Sequence, residues 1–294
     1  MPELPDITVY AESIERLLEG AVVEKILLPN IFLLRTVDPP VAALAGKRLR
    51  RVEILGKRIV LAFDGDLFAV IHLMIAGRFK WYPKGEKVPA TKLVLARFEF
   101  DRGTLALTEA GTKRRASLHI LRGRDTLKSH DPGGVDPINC ARDNFVARLT
   151  LENHTLKRAL TDPKLFSGIG NAYSDEILHR AKLSPLALSQ KLLPDELTRL
   201  HAATRDVLTE WLRRLRAEAG DHFPEKVTAF RAGMAVHGKF RQPCPVCSHL
   251  VQRIVYADNE CNYCPICQTG GKLLADRALS RLLKASWPKY ADSE

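Results

Sequence analysis

The chain has 294 residues, 46% of them hydrophobic, which is enough for two domains with buried cores. Lysine and arginine total 45 against 34 for aspartate and glutamate, so the formal net charge is +11. A basic balance of this size favours an anionic polymer as partner, nucleic acid before membrane. The sequence contains neither a run of about 18 apolar residues nor a signal-peptide pattern, so we expect a cytoplasmic protein.

The first part of the chain predicts one helix followed by many strands. Apolar residues recur at helical spacing over 5–20, and glycine is a common helix stop. Short β-type runs follow, several of them separated by turn signals such as Asp64-Gly65. The runs are 22–28, 52–55, 58–63, 67–73, 93–100, 104–108 and 117–121. This order of elements suggests a β-sandwich or a barrel over residues 1–130.

The pattern changes to helices after a predicted linker at 131–150. Helical periodicity is found at 153–160 and 172–180, on either side of a turn-rich stretch. A longer amphipathic helix follows, with Asp195 near its start and Gly220 at its end.

Three further regions complete the predicted α+β multidomain chain. We expect a helical domain at 151–235, a cysteine-rich segment at 236–270 and a helical tail at 271–294. The tail is basic and its leucines recur at helical spacing, so we expect it to pack on the body of the protein.

Four of the six cysteines form the most specific pattern in the chain. They follow the spacing Cys244-x2-Cys247-x16-Cys264-x2-Cys267. Two such pairs match a four-cysteine zinc ribbon, with room for a β-hairpin between them. We predict one structural Zn²⁺, because four protein ligands leave no position open for a substrate. Cys261 and His249 are spare candidates, and we expect both to be ordinary hairpin residues.

The stretch Gly168-Ile169-Gly170-Asn171 comes just before a predicted helix N-terminus. Glycines let the backbone approach a ligand closely, and the free N–H groups of a helix start favour phosphate. Asn171 could add a side-chain donor, and Lys157 lies nearby in sequence. Glycines also end helices without binding anything, so this turn alone is a weak signal.

The chain opens with Met1-Pro2-Glu3-Leu4-Pro5-Asp6, which could form a reactive centre. Removal of the initiator Met would leave Pro2 as a secondary amine, and an α-amino group with a pKa of roughly 8 is partly unprotonated near neutral pH. Such an amine can attack a carbonyl carbon to form an iminium, and Glu3 could transfer protons. By themselves, these six residues favour a plain helix start, since N-terminal prolines are common.

Taken together, the motifs of this chain resemble one family. They are Pro2-Glu3-Leu4-Pro5, Gly56-Lys57-Arg58 before a strand, His72-Leu73 leading to Gly77, Ser167-Gly168-Ile169-Gly170-Asn171-Ala172-Tyr173-Ser174-Asp175-Glu176, and the cysteine ribbon. In this order and over about residues 2–268, they resemble formamidopyrimidine-DNA glycosylase and endonuclease VIII, which are bifunctional base-excision enzymes.

The resemblance implies an N-terminal β-sandwich with flanking helices, a helix–two-turn–helix module and a zinc finger. It implies a monomer that acts on double-stranded DNA containing a damaged base or an abasic site, and hence a location at the nucleoid. Pro2 would be the nucleophile at C1′ and Glu3 the proton shuttle, with Lys57 supporting catalysis and Glu176 a second acid near the site. The reaction would pass through a Schiff base to β- and δ-elimination, after the nucleotide is turned out of the stack.

The resemblance also implies residues that bind DNA. The expected set is Lys157, Gly170, Asn171, Arg114, Arg253 and Asn259. Two positions depart from the family. Asn259 stands where the family finger has an arginine, and Met74 or Ile75 takes the first of the positions that fill the space left by the flipped base. The sequence therefore predicts the chemistry but not the preferred base. A DNA-binding protein of the same fold without catalysis is the alternative.

Overall fold

A computed structural model describes residues 1–111, 113–225, 227–228, 230–256, 259–274 and 290–291. The chain divides into two compact units. The first contains Met1–Pro132 and Trp211–Thr228, and the second contains Gly133–Glu210 and Ala229–Glu294. Most of the helical tail predicted at 271–294 lies outside the described residues. Within the described ranges, no helix is both long and apolar enough to cross a membrane.

Among its described residues, the first unit contains two complete helices, eight strands and the last part of the long helix Pro194–Ala219. The complete elements are α1 (Leu4–Leu18), β1 (Val23–Leu27), β2 (Leu49–Leu55), β3 (Arg58–Phe63), β4 (Leu67–His72), β5 (Gly77–Pro83), β6 (Val94–Phe100), β7 (Gly103–Glu109), β8 (Ser117–Arg122) and α2 (Arg124–Ser129). The predicted first helix and all seven predicted strands are confirmed. Short 3-10 turns at Ile31–Leu33 and Val41–Leu44 separate β1 from β2.

The strands form two four-stranded antiparallel sheets, in the orders β1-β6-β7-β5 and β2-β3-β4-β8. Both sheets and α1 contribute side chains to one hydrophobic core, which confirms the sandwich. On α1, Ile7, Tyr10, Ile14 and Leu18 are fully buried at helical spacing. Strand β3 is buried on both faces, because a smaller cluster that includes Leu127 of α2 covers its other side.

Strand β5 was not among the predicted strands. It has seven residues, in which the charged Arg78 and Lys80 alternate with Phe79 and Trp81. Its pairing with β7 decides its structure, since Phe79 lies opposite Leu107 and Trp81 opposite Leu105. Phe79 is fully buried in the core of the sandwich. The hydrogen bonds and the apolar surface that make this segment a strand therefore come from a strand distant in sequence, and the local sequence does not predict them.

The second unit is mainly helical. It contains α3 (Arg142–Leu149), α4 (Leu156–Thr161), α5 (Asn171–Arg180), the first part of α6 (Pro194–Ala219), the hairpin β9 (Gln252–Tyr256) and β10 (Asn259–Tyr263), and α7 (Pro265–Thr269). The three predicted helices and the hairpin are confirmed. Helix α3 lies within the predicted linker, and its Phe145 and Leu149 are fully buried. That part of the linker is packed structure, stabilised by ring contact between Phe145 and Phe166 at 4.6 Å.

The turn between β4 and β5 presents an apolar side chain to solvent. Gly77 N–H donates to the Leu73 carbonyl at 2.9 Å, and Met74 has a left-handed φ of +53°. The Met74 N–H donates to Nδ1 of His72 at 3.0 Å, which holds that conformation. Ile75 follows at the tip with 58% of its surface exposed.

Gly77→Ala should destabilise the protein, because a Cβ at this position would lie 2.2 Å from the Leu73 carbonyl oxygen. We expect a loss of about 3 kcal/mol in the free energy of unfolding, measured by urea denaturation. Gly111→Ala is the matched control, because its added Cβ meets its nearest atom, Cβ of Ala76, at 3.5 Å. Equal stability of the two variants would contradict the tight turn.

Candidate functional site

The first residues of the chain are fixed at the N-terminus of α1. Pro2 and Glu3 are buried, and Glu3 is only 2% exposed. The Glu3 N–H donates to the Asp6 carboxylate at 3.0 Å, and the Glu3 carboxylate accepts the Asp6 N–H in return. This capping box satisfies two N–H groups at the helix start and fixes the position of the Glu3 carboxylate.

The terminal amine lies among several charges of the first unit. Burial lowers the pKa of the Met1 amine from its usual 8.0, and the charges of Arg78 and Lys57 lower it further, while Glu3 and Asp6 oppose the shift. The structure thus brings together three of the predicted residues: Pro2, Glu3 and Lys57. Lys57 occupies the tight turn between β2 and β3, where Gly56 has a φ of +62°.

His72 is a neutral residue beside this group. Burial is the main reason that its pKa falls from 6.5 to about 4, and the charges of Arg58 and Lys57 act in the same direction. Its Nδ1 accepts the Met74 N–H, which requires an unprotonated nitrogen. His72 therefore supports the turn that carries Ile75.

The turn before α5 is positioned by the hairpin of the same unit. Gly168 has a φ of +78°, and Gly170 is the N-cap of α5. Asn171 is the first helical residue, and its Nδ2 donates to the Glu260 carbonyl of β10 at 2.8 Å. The glycine turn therefore lies at a helix start, and β10 fixes the Asn171 side chain.

Lys157 has a different environment from the one predicted. Its Nζ donates to the Asn171 carbonyl at 2.7 Å, to Ser174 Oγ at 2.8 Å and to Asp175 Oδ1 at 2.6 Å. These bonds use all three donors of an ammonium group. The side chain is also only 13% exposed. Lys157 therefore positions the Asn171 turn from within the protein, and the direct phosphate contact predicted for it is corrected to this supporting role.

Glu176 also has a structural environment. It is 6% exposed, and its carboxylate accepts the backbone N–H groups of Ala235, Val236 and His237 at 2.7–2.9 Å. Burial raises the pKa of Glu176, and the three N–H donors oppose that shift. Within its unit, Glu176 anchors the segment that leads to the cysteine cluster. We therefore replace the catalytic role expected for it with this anchoring role.

Asp175 is an important residue that no local sequence pattern distinguishes. Its side chain is fully buried and binds Lys157 through one oxygen, and His237 Nδ1 at 2.8 Å and the Asn262 N–H at 3.1 Å through the other. It thereby joins α4, α5, the 235–237 segment and the hairpin. The only sequence signal was its place inside the glycine-rich motif, where an acid on a helix is normally solvated.

The four predicted cysteines converge on one point. Their sulfurs all lie within 4.8 Å of one another, with 3.3 Å between Cys247 and Cys264 and 3.9 Å between Cys244 and Cys267. Tetrahedral thiolates at 2.3 Å from a metal lie about 3.8 Å apart, so the residues fit a tetrahedral ion. His179 Nε2 lies 3.3 Å from Cys244 Sγ and supports this sulfur from outside the ligand set.

The two spare candidates are not part of the cluster. Cys261 is buried in β10, and burial raises the pKa of its thiol, so that it stays protonated. His249 accepts the Cys244 N–H through its backbone carbonyl and offers no ring nitrogen to the cluster. Both are hairpin-region residues, as expected.

The remaining predicted DNA-binding residues belong to different units of the chain. Arg253 on β9 pairs with Glu260 at 3.1 Å, and its guanidinium lies 4.3 Å from the Phe240 ring centre. Arg114 donates to the Lys92 carbonyl at 2.6 Å in the first unit. Asn259 begins β10, and its side chain lies outside the described part of the chain.

Two family models match the chain. The formamidopyrimidine-DNA glycosylase N-terminal domain matches residues 1–116, and the H2TH domain of the same glycosylase matches residues 134–219. A formamidopyrimidine-DNA glycosylase from Exiguobacterium sibiricum is 30% identical over 91% of this chain and 99% of its own length. The chain belongs to the formamidopyrimidine-DNA glycosylase family.

Solved structures show the same fold. The MutM (Fpg) protein of Thermus thermophilus has a TM-score of 0.74 and 27% identity, over 91% of this chain and 98% of its own. The Fpg of Lactococcus lactis bound to DNA with an abasic site has a TM-score of 0.80 and 20% identity, over 91% of this chain and 99% of its own. The zinc finger of this fold corresponds to the four-cysteine cluster.

Elemental analysis of the purified protein should give one metal ion per chain and identify the metal. Cys247→Ser should release most of the metal, because the three remaining thiolates no longer complete a tetrahedral site. Cys140→Ser is the matched control, since Cys140 lies outside the cluster, and it should retain the ion. Loss of metal from both variants, or from neither, would contradict the assignment.

The lowered pKa of His72 predicts a pH dependence of stability. The neutral form is favoured in the folded state, so its contribution is complete above pH 6.5 and is lost as the pH falls towards about 4. His72→Asn keeps an acceptor for Met74 but removes the proton-binding group. The loss in unfolding free energy between these pH values should be smaller in the variant by up to about 3 kcal/mol.

The control for this measurement is His222→Asn, which changes an exposed histidine of the same unit. Its pH profile of unfolding, followed by urea titration, should match that of the unchanged protein. If the pH profile of His72→Asn also matches that of the unchanged protein, protonation of His72 does not lower the free energy of unfolding. The predicted pH dependence is then wrong.

Proposed function

We propose that this protein removes an oxidised base from double-stranded DNA and then cleaves the strand at the abasic site, as a monomeric base-excision enzyme. The observation that carries the proposal is the N-terminal group: a terminal amine of lowered pKa beside a fixed carboxylate and two cations. Membership of the glycosylase family and the likeness to an abasic-DNA complex support it.

After removal of Met1, the nitrogen of Pro2 would be the terminal amine. The same burial and the same cations would lower its pKa, so that more of it is unprotonated and nucleophilic at neutral pH. The nitrogen would attack C1′ and displace the base, which leaves with a proton. The nitrogen, now bonded to C1′, loses its proton and forms an iminium as the C1′–O4′ bond breaks and O4′ takes up a proton. The iminium then draws electrons from the opened sugar.

Glu3 is placed to transfer protons in these steps. Its carboxylate is buried at the start of α1 and directly follows the nucleophile in the chain. With a proton removed from C2′, the electrons form a double bond and the 3′ phosphate leaves. A second elimination releases the 5′ phosphate, and hydrolysis of the iminium frees Pro2. Lys57 would hold a phosphate near the lesion by its charge.

The second unit would hold the DNA backbone. The N–H groups at the start of α5 and the Asn171 side chain suit a phosphate, and the Gly170 backbone lets it approach. In the first unit, Ile75 rather than Met74 would fill the space left by the flipped nucleotide. Ile75 is exposed at the tip, whereas Met74 is engaged in the turn below it.

The metal would be one structural Zn²⁺. Four thiolates at tetrahedral distances are the donor set that zinc prefers, and they leave no site for substrate. The ion would fix the hairpin, and the hairpin holds Asn171 through the Glu260 carbonyl. Zinc would therefore act on DNA binding through the position of Asn171, without taking part in the chemistry.

One substitution favours a second candidate, a damage-specific DNA-binding protein of the same fold without catalysis. Asn259 is neutral and shorter than the arginine of the family finger, so its hold on phosphates is weaker. A nicking assay on an abasic duplex separates the two: the enzyme cuts the strand, and the binding protein binds it uncut.

Sodium borohydride should trap a covalent complex between the Met1-processed protein and abasic DNA, visible on a denaturing gel. Pro2→Gly should lower trapping roughly tenfold or more, because the secondary amine is lost. Pro5→Ala changes a proline of the same helix start without touching the amine, so it should trap like the unchanged protein. Absence of any trapped complex from a metal-loaded sample would refute the proposed chemistry.

A further inference from the structure

A pocket in the first unit is not used by the proposed reaction. It has a volume of about 430 Å³ and lies between the turn after β1, the loop before β6 and the segment before β8. This size is in the range of small-molecule sites. Its polar lining consists of Asn30, Thr91, Lys92, Arg97 and Arg114, and Pro29, Ala90 and Val94 are apolar.

The charged residues that line this pocket are all positive. Three cationic residues line it, and no aspartate or glutamate is found among its lining residues in the described part of the chain. Arg97 on β6 lies opposite Leu27 and Ala106 in the neighbouring strands, so neither cross-strand position offers an acid. The acid two residues further on the same face, Glu99, lies opposite Lys25.

Arg97 itself carries an unmatched donor. Its Nε is buried and has no hydrogen-bond partner among the described residues. A guanidinium that is partly withdrawn from water without a counter-charge is unfavourable, and an anion in the pocket would offset this. Arg114 donates to the Lys92 carbonyl at 2.6 Å, which holds its guanidinium at the rim of the same pocket.

We propose that this pocket binds the phosphate group of a nucleotide. Three cations suit the two negative charges of a phosphate monoester, and the planar donors of Arg97 and Arg114 suit its oxygens. Thr91 and Asn30 add neutral polar groups, and Val94 gives the sugar an apolar surface. The phosphate comes either from a free nucleotide or from a DNA strand that extends beyond the lesion.

The first experiment is calorimetric titration of the full chain with deoxyadenosine 5′-monophosphate, with deoxyadenosine as the ligand that lacks the phosphate. Saturable binding of the monophosphate alone is expected. Arg97→Met and, separately, Lys92→Met should weaken it about tenfold or more. Lys87→Met removes an exposed charge outside the pocket and should change the Kd less than about twofold.

The second experiment tests a phosphate in the DNA strand. The salt dependence of binding to an abasic duplex is measured for the same variants, and Arg97→Met should lower the slope by about 1 if one phosphate contact is lost. Borohydride trapping at saturating DNA should persist in this variant, so failure of the pocket is distinguishable from failure of the Pro2 chemistry.

The inference is overturned if the monophosphate does not saturate and the slope is unchanged, or if Lys87→Met acts as Arg97→Met does. Lys92→Met provides both readouts if Arg97→Met does not fold, which circular dichroism shows.

Discussion

The buried carboxylate of Asp175 is the interaction on which the second unit depends. One oxygen accepts Lys157 at 2.6 Å, and the other accepts a backbone N–H from the hairpin and contacts His237. Removing one partner of such a buried pair commonly costs about 3–5 kcal/mol, because the remaining charge is left without compensation. The same lysine donates to the Asn171 carbonyl, so the stability of the unit and the shape of the turn before α5 depend on one set of contacts.

At the N-terminus, too, one carboxylate has two roles. The carboxylate proposed to transfer protons, Glu3, is also half of the capping box that begins α1. Burial of that helix start lowers the pKa of the amine beside it, since a charged amine is poorly solvated there. Helix capping and the lowered pKa of the amine therefore depend on the same local structure.

Much of the fold could be predicted from local patterns. The apolar periodicity of α1 and of the strand runs was sufficient to predict these elements, because the apolar face of each element packs into a single core. Strand β5 and helix α3 were missed, since long-range pairing and the burial of Phe145 determine them. In the site, the cysteine spacing and the glycine-rich turn were informative, because converging thiolates and a tight turn before a helix each require particular residues at a fixed spacing.

The sequence by itself determined the Pro2-Glu3 pair at the N-terminus, the spacing of the four clustered cysteines, the basic charge and the glycines that precede α5. All of these are set by residue type and by separations of a few residues. Only the tertiary structure decided that Lys157 and Glu176 are internal anchors, that Asp175 joins four segments, and that Ile75 is presented at the turn. It also collected Lys92, Arg97 and Arg114 around one pocket. These outcomes depend on which distant groups meet, and spacing along the chain carries no information about that.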